Sequence, residues 1–162
     1  MKRFVGPVSL IAVLAAAAVF VGTAVGSSVN FTASYKGHVT EKVVGTAVTA
    51  TPKGTGTATL IKRGSLTGTV AASTDSTTGC SPLSGPGTLK GTKGTLKLKL
   101  LPGSRGCAAS QDDQKHITFS GKAKVTGGTG ALKRASGTLS FLGHYNRGTG
   151  AFDVKLVGTL KH

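Results

Sequence analysis

Two cysteines, Cys80 and Cys107, are the residues whose type and spacing predict the most specific chemistry in this 162-residue chain. Their spacing matches neither a CxxC redox motif nor a zinc motif. The midpoint between them falls inside the turn at residues 91–94, which joins two predicted strands, and residues equally distant from a hairpin turn face each other. We therefore predict a disulfide rather than two free thiols. Closing this loop should stabilise the fold by about 3 to 4 kcal/mol in the chain-entropy model.

Groups that could serve as an acid, a base or a metal ligand are few. The histidines form no HxxxH or similar pair and stand at His38, His116, His144 and His162. Asp112 and Asp113 adjoin each other in a loop, where paired carboxylates are usually only solvated. General acid–base catalysis needs such groups to converge in a water-poor cleft, and the clearest strands direct none of them inward. We predict no catalytic residue, no metal site and no cofactor, and lean against an enzyme.

Three runs near the C-terminus place apolar or glycine residues at alternate positions. A period of two is typical of a β-strand with one buried face. His116, His144 and Asp153 fall on the opposite, outward faces of these runs. The residues predicted to point inward are Ile117, Phe119, Gly121, Ala123 and Val125 in the first run, Leu139, Phe141, Gly143 and Tyr145 in the second, and Phe152, Val154, Leu156, Gly158 and Leu160 in the third.

Similar runs earlier in the chain predict more strands. They are residues 29–44 as one strand or two, 56–62 and 65–72 as a hairpin turning at 63–64, and 87–91 and 95–101 as a second hairpin, with 46–53 as a linker. In five strands an inward apolar residue is followed two positions later by glycine, at Gly68, Gly91, Gly121, Gly143 and Gly158. Inward glycines permit the sharp bends that closing a small barrel requires. We predict an all-β fold, a closed antiparallel barrel of about eight strands, with a two-sheet β-sandwich as the alternative.

Residues 1–26 have the layout of a secretory signal peptide. Lys2 and Arg3 precede an Ala-rich apolar run at residues 8–21, and small residues follow that run. Cleavage after Ala24 or Gly26 would leave one β-barrel domain at 27–162. We therefore predict a secreted or cell-surface protein. The alternative is an uncleaved N-terminal helix that anchors the protein, because the apolar run is nearly long enough to span a bilayer.

The predicted mature domain is strongly basic. Loss of Lys2 and Arg3 with the leader leaves 18 basic and five acidic residues, a net charge of +13. Such a surface attracts polyanions, here an anionic cell-surface polymer or polysaccharide, although the charge is equally consistent with a role in solubility alone. No aromatic platform of a single-strand binder is present, so we expect no specific nucleic acid partner. The candidate polyanion-binding residues are Lys97, Lys99, Lys122, Lys124, Lys155 and Lys161.

The segment VTGGTGALKRASG at residues 125–137 resembles a motif of the allene oxide cyclase and dirigent-like barrel superfamily. The matching positions are Gly127, Gly128, Thr129, Gly130, Ala135 and Gly137, with Leu132 where the family prefers Phe. The final hairpin is similar to that of bacterial secreted members, and the resemblance covers about a quarter of the chain. It implies a calycin- or dirigent-like barrel of eight antiparallel strands that is often a trimer. It carries over no catalytic residue, because no acidic residue here matches a family active-site position.

Two functions are open at this point. The first is an exported, non-enzymatic barrel that acts as a binding or surface-interaction module through its basic exterior. The second, implied by the resemblance, is a dirigent- or cyclase-like protein that holds an apolar small molecule in the barrel. A barrel interior completely filled by side chains would exclude the second function.

Overall fold

The computed structural model describes residues 27–74 and 79–161, and the predicted leader at 1–26 lies outside them. No helix within these ranges is long and apolar enough to cross a membrane. The described strands are β1 (Ser28–Val44), β2 (Ala47–Ala58), β3 (Lys62–Gly68), β4 (Val70–Ser73), β5 (Cys80–Pro82), β6 (Pro86–Gly91), β7 (Gly94–Leu100), β8 (Arg105–Ala108), β9 (His116–Gly128), β10 (Ser136–Asn146) and β11 (Ala151–Lys161), with a 3₁₀ turn at Gly130–Leu132 between β9 and β10.

Eight of these strands form a closed antiparallel barrel. Hydrogen-bonded neighbours follow one another in the order β1, β2, β3, β6, β7, β9, β10 and β11. β11 then pairs with β1 and closes the ring, with Ser28 opposite Lys161 near one end and His38 opposite Ala151 towards the other. Closure removes the exposed edges of the sheet. The predicted barrel is therefore confirmed over the two-sheet sandwich.

The three remaining strands lengthen the wall at one end of the barrel. β4 continues the line of β3 and pairs with β2, β8 continues β7 and pairs with β9, and β5 pairs with β8. β4 meets the segment that follows β5 through one isolated bridge, between Ala71 and Ser84. Beside it, the Ser81 hydroxyl accepts a hydrogen bond from the Ser73 amide at 2.8 Å. The wall is therefore continuous around this end as well.

The two ends of the barrel differ. At the end formed by the turn after β2, the turn after β6 and the 3₁₀ turn, Ile61, Leu132 and Leu160 are almost completely buried and fill the barrel. We call this the closed end. At the other end the turn after β1, the end of β4, the start of β5, the β8–β9 loop and the turn after β10 surround an opening. We call this the open end.

The inward faces predicted for the three C-terminal runs are confirmed. Gly143 shows why glycine is needed on such a face, because a Cβ there would overlap the ring of Phe119. Removing that bulk lets β9 and β10 carry large side chains towards each other inside a narrow barrel. The buried residues of these strands are Ala123, Val125, Leu139, Phe141, Tyr145, Phe152, Val154, Leu156 and Leu160.

Two predictions about the N-terminal half are wrong. Residues 46–53 are not a linker, since β2 begins at Ala47, and its hairpin with β3 turns at residues 59–61 rather than 63–64. The inward residues of β2 are mostly small, such as Ala50 and Gly54, so the segment lacks the large apolar alternation that marks the other strands. Pro52 has no N–H to donate, and it lies opposite the junction between β3 and β4, where ladder pairing is interrupted.

Candidate ligand-binding site

The barrel encloses a cavity of about 300 Å³ that reaches solvent through the open end. This volume lies at the lower limit of pockets that hold small molecules, about 300 Å³. The wall is mainly apolar, and its largest side chains include Val39, Leu66, Leu100, Phe119, Phe152 and Val154. The interior is therefore not completely filled, and the second of the two functions stays open.

The cavity exists because small residues line one side of the open half. These are Ala50, Gly68, Ala72, Gly87, Gly106 and Ala108, which lie on strands between β2 and β8. In the closed half, by contrast, the inward positions carry large buried side chains, Phe31, Tyr35, Leu96, Leu139 and Leu160. A ligand can therefore occupy the open half without displacing the core.

Three of the polar side chains at the mouth of this cavity contact one another: Glu41, Tyr145 and Arg147. Glu41 lies on the inward face of β1 with its side chain only 18% exposed, and Arg147 follows β10. The Arg147 Nε lies 3.3 Å from the Glu41 Oε2, and the Tyr145 hydroxyl donates a hydrogen bond to the same carboxylate. Arg147 also donates from Nη1 to the Gln114 carbonyl oxygen at 3.4 Å. We call these three residues the mouth cluster.

Burial keeps the hydroxyls of both tyrosines, Tyr35 and Tyr145, protonated at neutral pH. Burial, assisted by the charge of Glu41 and by the hydrogen bond to it, raises the pKa of Tyr145, while the nearby Arg147 opposes this shift. Burial also raises the pKa of Tyr35. The Tyr35 hydroxyl is buried without a hydrogen-bond partner among the described residues. Tyr145 therefore keeps its proton for the hydrogen bond to the carboxylate.

Glu41 is an acid inside the barrel that the expectation of no inward acid on the clearest strands did not cover. That expectation rests on the C-terminal strands, whose inward positions indeed carry no acid. Glu41 belongs instead to the run at 29–44, whose alternation is irregular in the sequence. The available signal was the period-two spacing of Tyr35, Val39 and Glu41, which places the carboxylate on the inward face. Sequence reasoning assigned no role to Glu41 or Arg147.

The predicted disulfide between Cys80 and Cys107 is present, and the two residues pair directly across β5 and β8. The bridge lies beside the cavity, because the neighbouring residues Ser81 and Gly106 both line it. It therefore holds together a part of the wall in which only one bridge joins β4 to the segment that follows β5.

The strand register at the two cysteines differs from the register that the hairpin turn alone would give, and the sequence does not reveal this difference. β6 and β7 pair with Gly91 opposite Gly94, so a regular hairpin would place Cys107 opposite residue 78. Two additional residues between β7 and β8 shift the register to Cys80. In that segment Ser104 is buried and its hydroxyl donates a hydrogen bond to the Leu101 carbonyl at 2.8 Å.

His38, His116 and His144 lie outside the barrel, as predicted for the last two, and His162 lies outside the described residues. The His116 Nδ1 lies 2.7 Å from the Asp113 Oδ2, and this hydrogen bond holds the pKa of Asp113 below its ordinary value. His144 lies 3.5 Å from Asp153 through the corresponding atoms. Within residues 27–74 and 79–161, no group of three or more His, Cys, Asp or Glu side chains could hold a metal ion.

The six lysines predicted to bind anions are all exposed. Lys97 and Lys99 lie on β7, next to Lys122 and Lys124 on β9, and Lys99 pairs directly with Lys124. Like charges directly opposite each other destabilise a sheet, so a bound anion would relieve this repulsion. Lys155 and Lys161 lie on β11, separated from β9 by β10. The structure therefore brings four of the six together, and we call these four the β7–β9 lysines.

Sequence reasoning missed the continuation of this basic surface onto the closed end. The start of β3 and the loops at this end carry Lys62, Arg63, Lys93, Lys133 and Arg134, all exposed and without an ion pair among the described residues. The acids of the described chain lie towards the open end, at Glu41, Asp112, Asp113 and Asp153. These acids reduce the net charge towards the open end, so the closed half carries the larger net positive charge.

The motif at residues 127–137 builds the closed end. Thr129 Oγ1 lies 2.7 Å from Thr95 Oγ1, which ties the turn to β7. Gly130 has a φ of 60°, in the left-handed region that favours glycine, and begins the 3₁₀ turn. Leu132, which stands where the family prefers Phe, is buried at the end of the barrel. The motif therefore has a structural role here.

Comparisons of the chain with models of protein families, with curated proteins and with solved structures found no match. The resemblance to the allene oxide cyclase and dirigent-like barrels, and the trimer that it implies, stay predictions.

Proposed function

We propose that this protein binds small apolar molecules in the open half of its barrel. The observation that carries the proposal is the cavity of about 300 Å³, with its apolar wall and its polar mouth. Concave apolar spaces with a few polar groups are the usual sites of small-molecule binding. The proposal is one of binding and assigns no reaction to the site.

We further propose that the protein acts after export from the cytoplasm. The leader-like sequence at residues 1–26 supports this location. The bridge between Cys80 and Cys107 supports it as well, because disulfides persist in oxidising compartments.

Titration with N-phenyl-1-naphthylamine tests the proposed binding. This uncharged probe fluoresces more strongly when it leaves water for an apolar site. We expect saturable enhancement with one probe per chain and a dissociation constant in roughly the micromolar range, given the small size of the probe. The signal should disappear when the protein is unfolded in guanidinium chloride. Enhancement that never saturates, or that survives unfolding, would count against the cavity as the site.

A second candidate function is attachment to an anionic polymer. The observation that favours it is the direct pairing of Lys99 with Lys124 on an outer wall that continues into the basic closed end. The lysines face outward and the cavity lies inside the barrel, so attachment through this outer wall would leave the open mouth accessible.

Replacing Lys99 and Lys124 together by Gln should weaken binding to heparin, used as a model polyanion. The slope of log affinity against log salt falls by about one for each lysine that no longer neutralises an anionic group, so it should fall by about two here. The control is Lys36→Gln with Lys42→Gln, which removes the same charge near the open end. Equal weakening in both variants would show that net charge alone governs binding, and would reject the β7–β9 lysines as a site.

A further inference from the structure

The mouth cluster differs in charge from the rest of the molecule. The chain has 20 basic and five acidic residues, yet only two charged side chains among the described residues line the cavity, the acidic Glu41 and the basic Arg147. These two face each other, with the Arg147 Nε 3.3 Å from the Glu41 Oε2. Among the described residues, the charges that line the cavity of this strongly basic protein therefore balance.

This pairing determines which head groups the mouth can accept. A charge beside an apolar wall is tolerated when it is paired, and removing its partner leaves an uncompensated charge. A ligand carboxylate at Arg147 would meet the carboxylate of Glu41, and a ligand ammonium at Glu41 would meet the guanidinium of Arg147. A charged head group must therefore break the existing pair or approach a like charge.

An uncharged polar head group meets no such obstacle. A guanidinium has five N–H donors, and among the described residues only Nε and Nη1 of Arg147 have partners. The carboxylate of Glu41 has about four lone-pair positions, of which the contacts with Arg147 and Tyr145 occupy two. A hydroxyl or an amide can donate to the carboxylate and accept from the guanidinium while the pair stays intact.

We propose that the Glu41–Arg147 pair is a selectivity filter that admits uncharged amphiphiles, with an apolar body in the cavity and a hydroxyl or amide head at the mouth. This inference rests on the proposed function, because it assumes that the cavity is the binding site. It assigns to Glu41 and Arg147 the role of specificity-determining residues.

Three probes with a common naphthalene body test the filter: the uncharged N-phenyl-1-naphthylamine, the anionic 1-anilinonaphthalene-8-sulfonate and the cationic 1-naphthylmethylammonium, the last measured by displacement of the first. Glu41→Gln should unmask Arg147 and raise the ratio of anionic to neutral affinity by about tenfold, the usual size of a charge-assisted hydrogen bond. Arg147→Gln should unmask Glu41 and raise the cationic ratio by about the same factor. The double variant Glu41→Gln/Arg147→Gln should return both ratios to near their wild-type values.

Two control variants distinguish an effect of the Glu41–Arg147 pair from an effect of the protein's overall electrostatic potential. Lys42→Gln removes one positive charge from the outward face of β1, next to Glu41, and Asp112→Asn removes one negative charge from the β8–β9 loop. We expect each to change the ratios less than about twofold, since exposed charges are screened by salt. Ratios that change no more in the mouth variants than in these controls would overturn the filter, while binding of the neutral probe would still support the proposed function. A wild-type protein that does not bind the neutral probe would overturn both.

Discussion

The Ala72→Trp variant should bind N-phenyl-1-naphthylamine at least about tenfold more weakly than the wild type, a difference of about 1.4 kcal/mol or more. Ala72 lies on the inward face of β4 and lines the cavity, so an indole ring at this position occupies the space that the probe needs. Adding bulk to a packed core costs about 1–3 kcal/mol of stability. Here the cavity receives the ring, so the unfolding midpoint should change little.

The neighbouring residue provides the matched control for this experiment. Ala71 lies on the same strand but is exposed on the outer face, and Ala71→Trp adds the same ring outside the barrel. We expect Ala71→Trp to bind the probe like the wild type. Ala50→Trp places an indole ring in the cavity from the β2 side. It provides a second test if the indole ring at position 72 disturbs β4. Equal affinities of Ala71→Trp and the two blocked variants would place the probe elsewhere.

The second large effect should come from the disulfide. Replacing Cys80 and Cys107 together by Ser should lower the free energy of unfolding by about 3 to 4 kcal/mol, because the unfolded chain regains the freedom of a closed loop. For a domain of this size the change corresponds to a drop of roughly 10 °C in the unfolding midpoint. Differential scanning calorimetry of the two proteins measures it directly.

Reduction provides the control for the disulfide variant. Dithiothreitol should lower the midpoint of the wild type towards that of the Cys80→Ser/Cys107→Ser variant and leave the variant unchanged. The pairing of β9, β10 and β11 does not depend on the bridge, so the far-ultraviolet signature of the folded variant should persist below its midpoint. A variant as stable as the oxidised wild type would show that the bridge contributes nothing to stability.

The strands were predictable wherever large apolar residues alternate with polar ones. Leu96 and Leu98 on β7, like Phe152 and Val154 on β11, point inward as their spacing indicates. β2 was missed because its inward residues are mostly small, such as Ala50 and Gly54, and period two is hard to recognise without large side chains. The small inward side chains on this side of the barrel also leave the space that forms the cavity.

The cavity and its mouth were beyond sequence reasoning for a physical reason. Whether a barrel is filled depends on which inward residues lie at the same level along the barrel axis. That level is set by the register between strands that are far apart in the sequence. Glu41 and Arg147 are 106 positions apart, and they meet only because β1 pairs with β11 and β11 with β10. The disulfide was easier, since its two residues belong to one hairpin, although two additional residues between β7 and β8 bring them into register.

The location of a bound apolar molecule tests the central claim most directly. Crystals of the mature protein soaked with 1-bromonaphthalene would reveal the bromine by its anomalous scattering, independently of any fluorescence change. The account predicts a bromine peak inside the open half of the barrel, among the side chains of Leu66, Phe119 and Phe152. An empty barrel at saturating 1-bromonaphthalene, or a peak only on the outer wall, would contradict it.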